Sequence, residues 1–312
     1  MLGGVVLNEM LLHQLIEEVK LLREEIRLLN LKIDGGNNLK KNLIKIEKSN
    51  QVSVQETQNN NIELNSQNAA INYIMSRKMM IKNYKTDVDD DIFMKLSNYL
   101  GNRYEYLREL YAVIKPSLSN GNSFFFNMQN KPQEVITYCT QFCSLLYKNA
   151  FLSNYSYKKS SRIITGAPQR IGRVINFFTG GWLENYISNI VISELHSKGI
   201  NDFSFVQNCQ LELPNGDNFE VDMLFIVKDV PIWIECKTGD YQRYISKYSD
   251  FRKRMGTTKE NSLLIISDLQ MGLSKNLSST FDLTAMSLSE AKLYISELIE
   301  NIQNKIPREE GA

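Results

Sequence analysis

The sequence predicts an α/β chain of the α+β kind, in which a C-terminal mixed β-sheet flanked by helices follows a helical middle domain and an N-terminal coiled coil. Three observations predict it. Apolar residues recur at spacings of 3 and 4 near the N-terminus. Helical patterns rich in tyrosine and phenylalanine fill the chain from about residue 75 to 165. Beyond Gly199 the apolar period changes to two, with three strand patterns in succession and then helix, strand and helix.

The first element runs through Leu12, Leu15, Val19, Leu22, Ile26, Leu29 and Ile33. With Leu12, Val19, Ile26 and Ile33 at heptad position a and leucines at d, the seam favours a parallel pair of helices, hence a homodimer. An amphipathic helix packed on its own domain fits the same spacing over so few heptads. Gly35 and Gly36 end the pattern, which sets a coiled coil at residues 1–34. Residues 35–75 read as an Asn/Gln-rich linker: half of the residues from Ser49 to Asn68 are Asn or Gln, with too few large apolar side chains to offset the entropy of ordering. Residues 76–165 carry "LSNYLGNRYEYLRELYAVI" and "VITYCTQFCSLLYKNAFL", broken by "KPSLSNGNS" and "NKPQ", and predict a helical domain whose role is not legible.

Residues 166–312 hold the sheet. Pro168 and "PQRIGRVINFF" lead through Gly180 and Gly181 into the helix "WLENYISNIVISELHSKG". The strands "FSFVQNCQLEL", "NFEVDMLFIV" and "PIWIECK" follow, then the helix "YQRYISKYSDFRKRMG", the buried strand "SLLIIS" and a last helix over "SLSEAKLYISELIENIQ".

Composition narrows the function classes. At 312 residues and 43% hydrophobic the chain can bury a core, and its formal net charge of +1 leaves any affinity for nucleic acid or acidic membrane to local patches. Four cysteines without a C-x-x-C pair and two histidines give no zinc-ligand spacing, which predicts a reduced, cytoplasmic protein without structural zinc. The N-terminus lacks a basic start and a cleavage site, and no apolar run nears the roughly 20 residues of a membrane span, so no membrane partner is expected.

The chemistry sits at "WIECKTGDYQ". Lys228 and Asp229 separate two strand patterns and predict a tight hairpin. Counting outward from Val227/Val230 puts Ile226 opposite Pro231 and Asp222 opposite Glu235. If the closing pair is hydrogen-bonded, alternation makes 226/231 a non-hydrogen-bonded pair, where proline lacks nothing. It also puts the Asp222 and Glu235 Cα atoms about 4.5 Å apart with both side chains on one face. Two carboxylates that close repel unless a cation lies between them, and Mg²⁺ or Mn²⁺ is the natural occupant. Lys237 shares the strand face of Glu235 and can act on a bound water or a pentavalent phosphate. A solvated Glu/Lys face is the plain reading of the same residues.

Asp222, then Glu235, Cys236 and Lys237 on the next strand, resemble the motif of the PD-(D/E)xK nuclease superfamily, with Val221 in place of the name-giving proline. The resemblance covers about residues 168–304 and implies a restriction-endonuclease-like fold and a Mg²⁺- or Mn²⁺-dependent endonuclease, DNA favoured over RNA. By the same resemblance Asp222 and Glu235 are metal ligands, the Cys236 carbonyl a third, Lys237 a catalytic residue, and Glu184 in "GGWLENYI" an assisting carboxylate. Glu184 as an ordinary polar residue of an amphipathic helix is the alternative. The C-terminal region is also similar to CRISPR-associated ancillary nucleases with "ECKT" strands, whose nucleotide-sensing Rossmann-like domain is not visible here. Arg162, Arg170 and Arg173 ahead of the sheet, and Arg243, Lys247 and Arg254 along the helix after the motif, could meet phosphates or form solvated faces. A non-catalytic nucleic-acid-binding or scaffold protein built on the same core is the rival function.

Overall fold

A computed structural model of the chain describes residues 68–304, apart from 88, 89 and 271. The heptads of residues 1–34 and most of the linker lie outside the described residues. Asn68 opens the fold: its side chain accepts hydrogen bonds from the N–H groups of Ala70 and Ile71 and caps α1 (Ala69–Ser76). Then come β1 (Met80–Lys85), α2 (Asp91–Gly101), α3 (Tyr104–Asn120), β2 (Phe124–Asn127), α4 (Gln133–Lys148), β3 (Leu152–Lys158) and β4 (Ile163–Pro168). A short helix, α5 (Gly172–Asn176), passes through a π-helical turn at Phe177–Gly181 into α6 (Trp182–Ser197). The rest is β5 (Phe203–Glu212), β6 (Asn218–Val227), β7 (Val230–Lys237), α7 (Ile245–Met255), β8 (Ser262–Ile266), α8 (Leu273–Thr280), β9 (Thr284–Ser287) and α9 (Leu288–Asn304).

The fold is mixed α/β, as predicted: a six-stranded sheet in the order β1-β5-β6-β7-β8-β9 with helices on both faces, and a second sheet in the order β2-β4-β3. Lys228 and Asp229 both adopt left-handed backbone angles (φ 48° and 67°), the pair a two-residue type I′ turn requires and whose twist matches its strands. Val227 therefore pairs with Val230, Ile226 with Pro231, and so on to Met223 with Ile234. This is the predicted register. β7 pairs in parallel with β8, and β8 with β9, so each connection needs a crossover, supplied by α7 and α8. β8 is buried along its whole length, which its unbroken apolar run foretold.

Two apolar layers hold the large sheet. On one face Met223, Phe225, Ile234 and Ile265 pack with Trp182, Ile187 and Ile295. On the other, Leu224, Trp233 and Leu264 pack with Ile71, Tyr248 and Phe251. The first layer continues without a break into Leu96, Leu107 and Phe142 of α2, α3 and α4, so residues 76–165 share a core with the sheet. Both helical stretches read in that segment are present, the first divided between α2 and α3 and the second forming α4. α1 within the span read as linker, the edge strand β1, and β2–β4 were not foreseen: these are short or have most of their side chains in solvent. Cys139 and Cys143, one helical turn apart on α4, are fully buried. No described helix is long and apolar enough to cross a membrane.

Candidate active site

The β6–β7 ladder runs as far as Met223/Ile234, and one step beyond it side chains take over from the backbone. The Asp222 N–H donates to Glu235 Oε1 at 3.2 Å, and the Cys236 N–H donates to Asp222 Oδ2 at 2.8 Å. Each carboxylate thus caps the strand that carries the other. Trp233 Nε1–H also donates to Glu235 Oε1, at 3.0 Å. Lys237 Nζ lies 3.1 Å from Asp222 Oδ2 and 3.5 Å from Glu235 Oε2. Asp222 and Glu235 are only 7% and 1% exposed, so this is not a solvated surface pair.

Burial, and after it the Asp222 charge, hold the Glu235 carboxyl well above the usual range, while Lys237 and the two N–H donors pull it back. Burial works against the Lys237 ammonium too, yet Glu235 and Asp222 override it and hold its pKa above the ordinary value. Glu184, in the first turn of α6, is pushed up to about 7 by burial and then by Asp222. Its Oε2 accepts a hydrogen bond of 2.8 Å from Asn208 Nδ2. Glu184 on α6 and Glu235 on β7 therefore both sense Asp222 on β6, and both sense the Lys237 ammonium. The Cys236 thiol belongs to the opposite layer, where burial raises its pKa and leaves it an inert core group.

Asn208 was not singled out in the sequence. It adopts φ 46°, and the β5–β6 ladder pairs 207 with 223 and 209 with 221 while skipping 208 and 222. The irregularity frees Asp222 from the ladder and turns the Asn208 amide toward Glu184; asparagine is among the few residues that tolerate this backbone region. Lys237 Nζ also lies 5.5 Å from the centre of the Tyr248 ring. The Trp233 indole did have a signal, since strand alternation puts it on the face of Glu235.

A cleft of about 190 Å³ opens onto this group, lined by Asp222, Glu235, Lys237, Tyr244, Lys247 and Tyr248, with Phe219 and Glu220. Of the six basic residues singled out, Lys247 lines it, although its Nζ donates to the Asn218 carbonyl at 3.2 Å. Arg243 is exposed and paired with Asp240 at 2.9 Å, and Arg254 is exposed on α7. Arg173 pairs with Asp90 at 2.7 Å, Arg162 donates to the Gln129 carbonyl at 3.4 Å, and the Arg170 guanidinium lies against Gly121. The structure does not gather these last three at the carboxylates.

Among the described residues no three His, Cys, Asp or Glu side chains form a ready-made metal cage. Magnesium does not need one, because it keeps several waters and takes one or two carboxylates together with substrate oxygens. Asp222 and Glu235 offer such a pair of carboxylates, while burial, and after it the Asp222 charge, raises the Glu184 and Glu235 carboxyls.

No protein-family model matches the sequence, and no curated protein matches it either. Solved structures are similar, two of them as follows. Protein VC1899 from Vibrio cholerae matches with 17% identity over 75% of this chain and 61% of its own, at a TM-score of 0.49. Can2 from Sulfobacillus thermosulfidooxidans, solved in complex with cyclic tetra-adenylate, matches with 14% identity over 73% of this chain and 59% of its own, at a TM-score of 0.50. The chain spans about three-fifths of the length of these proteins. At such identity the likeness to Can2 speaks for the fold, a mixed sheet flanked by helices.

Proposed function

We propose that the chain is a metal-dependent endonuclease that hydrolyses phosphodiester bonds, with DNA favoured over RNA as substrate, on a restriction-endonuclease-like core. The observation that carries the reading is the burial of Asp222 and Glu235 on paired strand ends with the Lys237 ammonium between them. A purely structural ion cluster at this position would be replaceable by apolar side chains at little or no cost in stability. Asp222 and Glu235 would hold Mg²⁺ or Mn²⁺, with the Cys236 carbonyl as a further oxygen donor. When bound, the ion polarises a phosphoryl oxygen and lowers the pKa of water.

The protein groups divide the remaining work. Lys237, which keeps its proton beside two carboxylates, offsets the charge that builds on the phosphate rather than serving as a base. Glu184 titrates near neutral pH and accepts the proton of the attacking water at Oε1, since Oε2 is engaged by Asn208. Trp233 and the Asp222 N–H fix the Glu235 carboxylate so that Oε2 faces Lys237. Calorimetric titration with Mn²⁺ tests the reading: the wild type should bind and Asp222→Asn should bind at least tenfold more weakly. Equal affinity in the two proteins would remove Asp222 from the site and the proposal with it.

A further inference from the structure

Where α3 meets the ends of β7 and β8, a second cleft of about 500 Å³ is lined by Arg108, Tyr111, Ala112, Lys115, Thr238 and Asp268. Lys115 is partly buried, and its ammonium donates to the Thr238 carbonyl at 3.1 Å and to Thr238 Oγ1 at 3.2 Å. An ammonium has three donors, so one is left for the cleft. Two acids, Glu109 and Asp268, also line the cleft, and both are engaged: Glu109 pairs with Lys131 at 2.7 Å, and Asp268 accepts from the Tyr104 hydroxyl at 2.7 Å and from Ser267 Oγ at 3.1 Å. Burial lowers the Lys115 pKa and the Asp268 charge offsets this only in part, as for a cation short of a counter-ion.

Arg108, Ala112 and Lys115 follow one another along one face of α3, so two cations stand about 10 Å apart along the axis with a small residue between them. Thr238 directly follows Lys237, and consecutive Cα atoms are about 3.8 Å apart, so the cleft begins one residue from the catalytic lysine. Gly239 presents no side chain: a Cβ there would come within 3.7 Å of Lys115 Nζ. Thr238 Oγ1 donates to the Thr179 carbonyl at 3.0 Å, which ties this strand end to the π-helical turn ahead of Glu184.

We propose that this cleft is a phosphate subsite, in which Lys115 and Arg108 hold the phosphodiester backbone of the substrate strand beside the scissile linkage. The inference rests on the nuclease reading above. Lys115→Gln isolates the charge, because glutamine can still donate to the Thr238 carbonyl, and Lys115→Arg restores it.

The test is fluorescence anisotropy of labelled single-stranded and duplex DNA with EDTA present, from 50 to 300 mM salt, alongside plasmid nicking in Mn²⁺. Loss of one phosphate contact should reduce the slope of log K against log salt by about 0.7 to 0.9 and weaken binding roughly five- to eightfold at 0.1 M salt. Lys115→Arg should bind like the wild type, and inorganic phosphate at equal concentration should not compete measurably. If wild type binds and nicks while Lys115→Gln keeps its slope and affinity, the subsite is wrong and the nuclease reading stands. A lowered slope in a protein that never nicks leaves the subsite and sinks the nuclease reading. A wild type that neither binds nor nicks overturns both, and competition by free phosphate points to a small anion in place of a strand.

Discussion

Glu184→Gln should stabilise the metal-free protein above pH 7 and leave it unchanged below pH 4.5. The carboxyl is raised from 4.5 to about 7 in the fold, first by burial and then by Asp222. Below 4.5 it is neutral in both folded and unfolded chains, so the substitution changes nothing. Between 4.5 and 7 the unfolded chain ionises while the fold still holds the proton, so wild-type stability falls as pH rises and levels off above 7. At 1.36 kcal/mol per pH unit the full effect is about 3 kcal/mol, or roughly 5–10 °C in melting temperature for a fold of this size. Glutamine keeps an acceptor for the Asn208 amide, so the comparison isolates the charge. Melting curves from pH 4 to 9 in EDTA read the difference, and saturating Mn²⁺ should reverse it, because the ion benefits from the charge that the variant lacks. A difference that stays the same from pH 4 to 9 would refute the reasoning, since Glu184 would then ionise as freely as in water.

Three further substitutions probe its neighbours. Lys237→Ala should abolish cleavage and also cost about 3–5 kcal/mol at pH 7, because it leaves two buried carboxylates without their cation; urea melts should show the loss shrinking as pH falls and Glu235, whose carboxyl burial raises, takes up a proton. A loss equally large at pH 5 would contradict this. Trp233→Phe removes a donor to a charged acceptor and should cost roughly 1.5–3 kcal/mol, with unchanged stability showing that the indole bond contributes nothing. Asn208→Gly relieves the left-handed backbone strain but releases Glu184; near-wild-type melting with Mn²⁺ affinity down about 10- to 100-fold is expected, and unchanged affinity would make Asn208 structural only.

The register at the centre of the site was legible because a hairpin leaves few choices. Lys228 and Asp229 between two apolar runs, with Pro231 where no N–H is needed, allowed one alignment to be written down, and it is the one observed from 227/230 to 223/234. Strand alternation likewise put Trp233, Glu235 and Lys237 on one face. What it could not deliver was the bonding between them, because side chain to backbone bonds such as Cys236 N–H to Asp222 depend on where a ladder stops. Asn208 was invisible for a related reason. A single residue in left-handed conformation leaves the strand pattern around it intact, and its partner Glu184 is 24 residues away on another element. β1 escaped because its alternation serves a sheet edge with little burial, and the Asn-rich composition ahead of α1 obscured that Asn68 is a helix cap.

Metal-dependent nicking of supercoiled plasmid tests the central claim most directly. The account predicts open circles in Mg²⁺ or Mn²⁺ with wild-type protein, and none in EDTA or with Asp222→Asn, whose fold should be retained. No nicking by folded wild-type protein at saturating Mn²⁺, or equal nicking in EDTA, would contradict it.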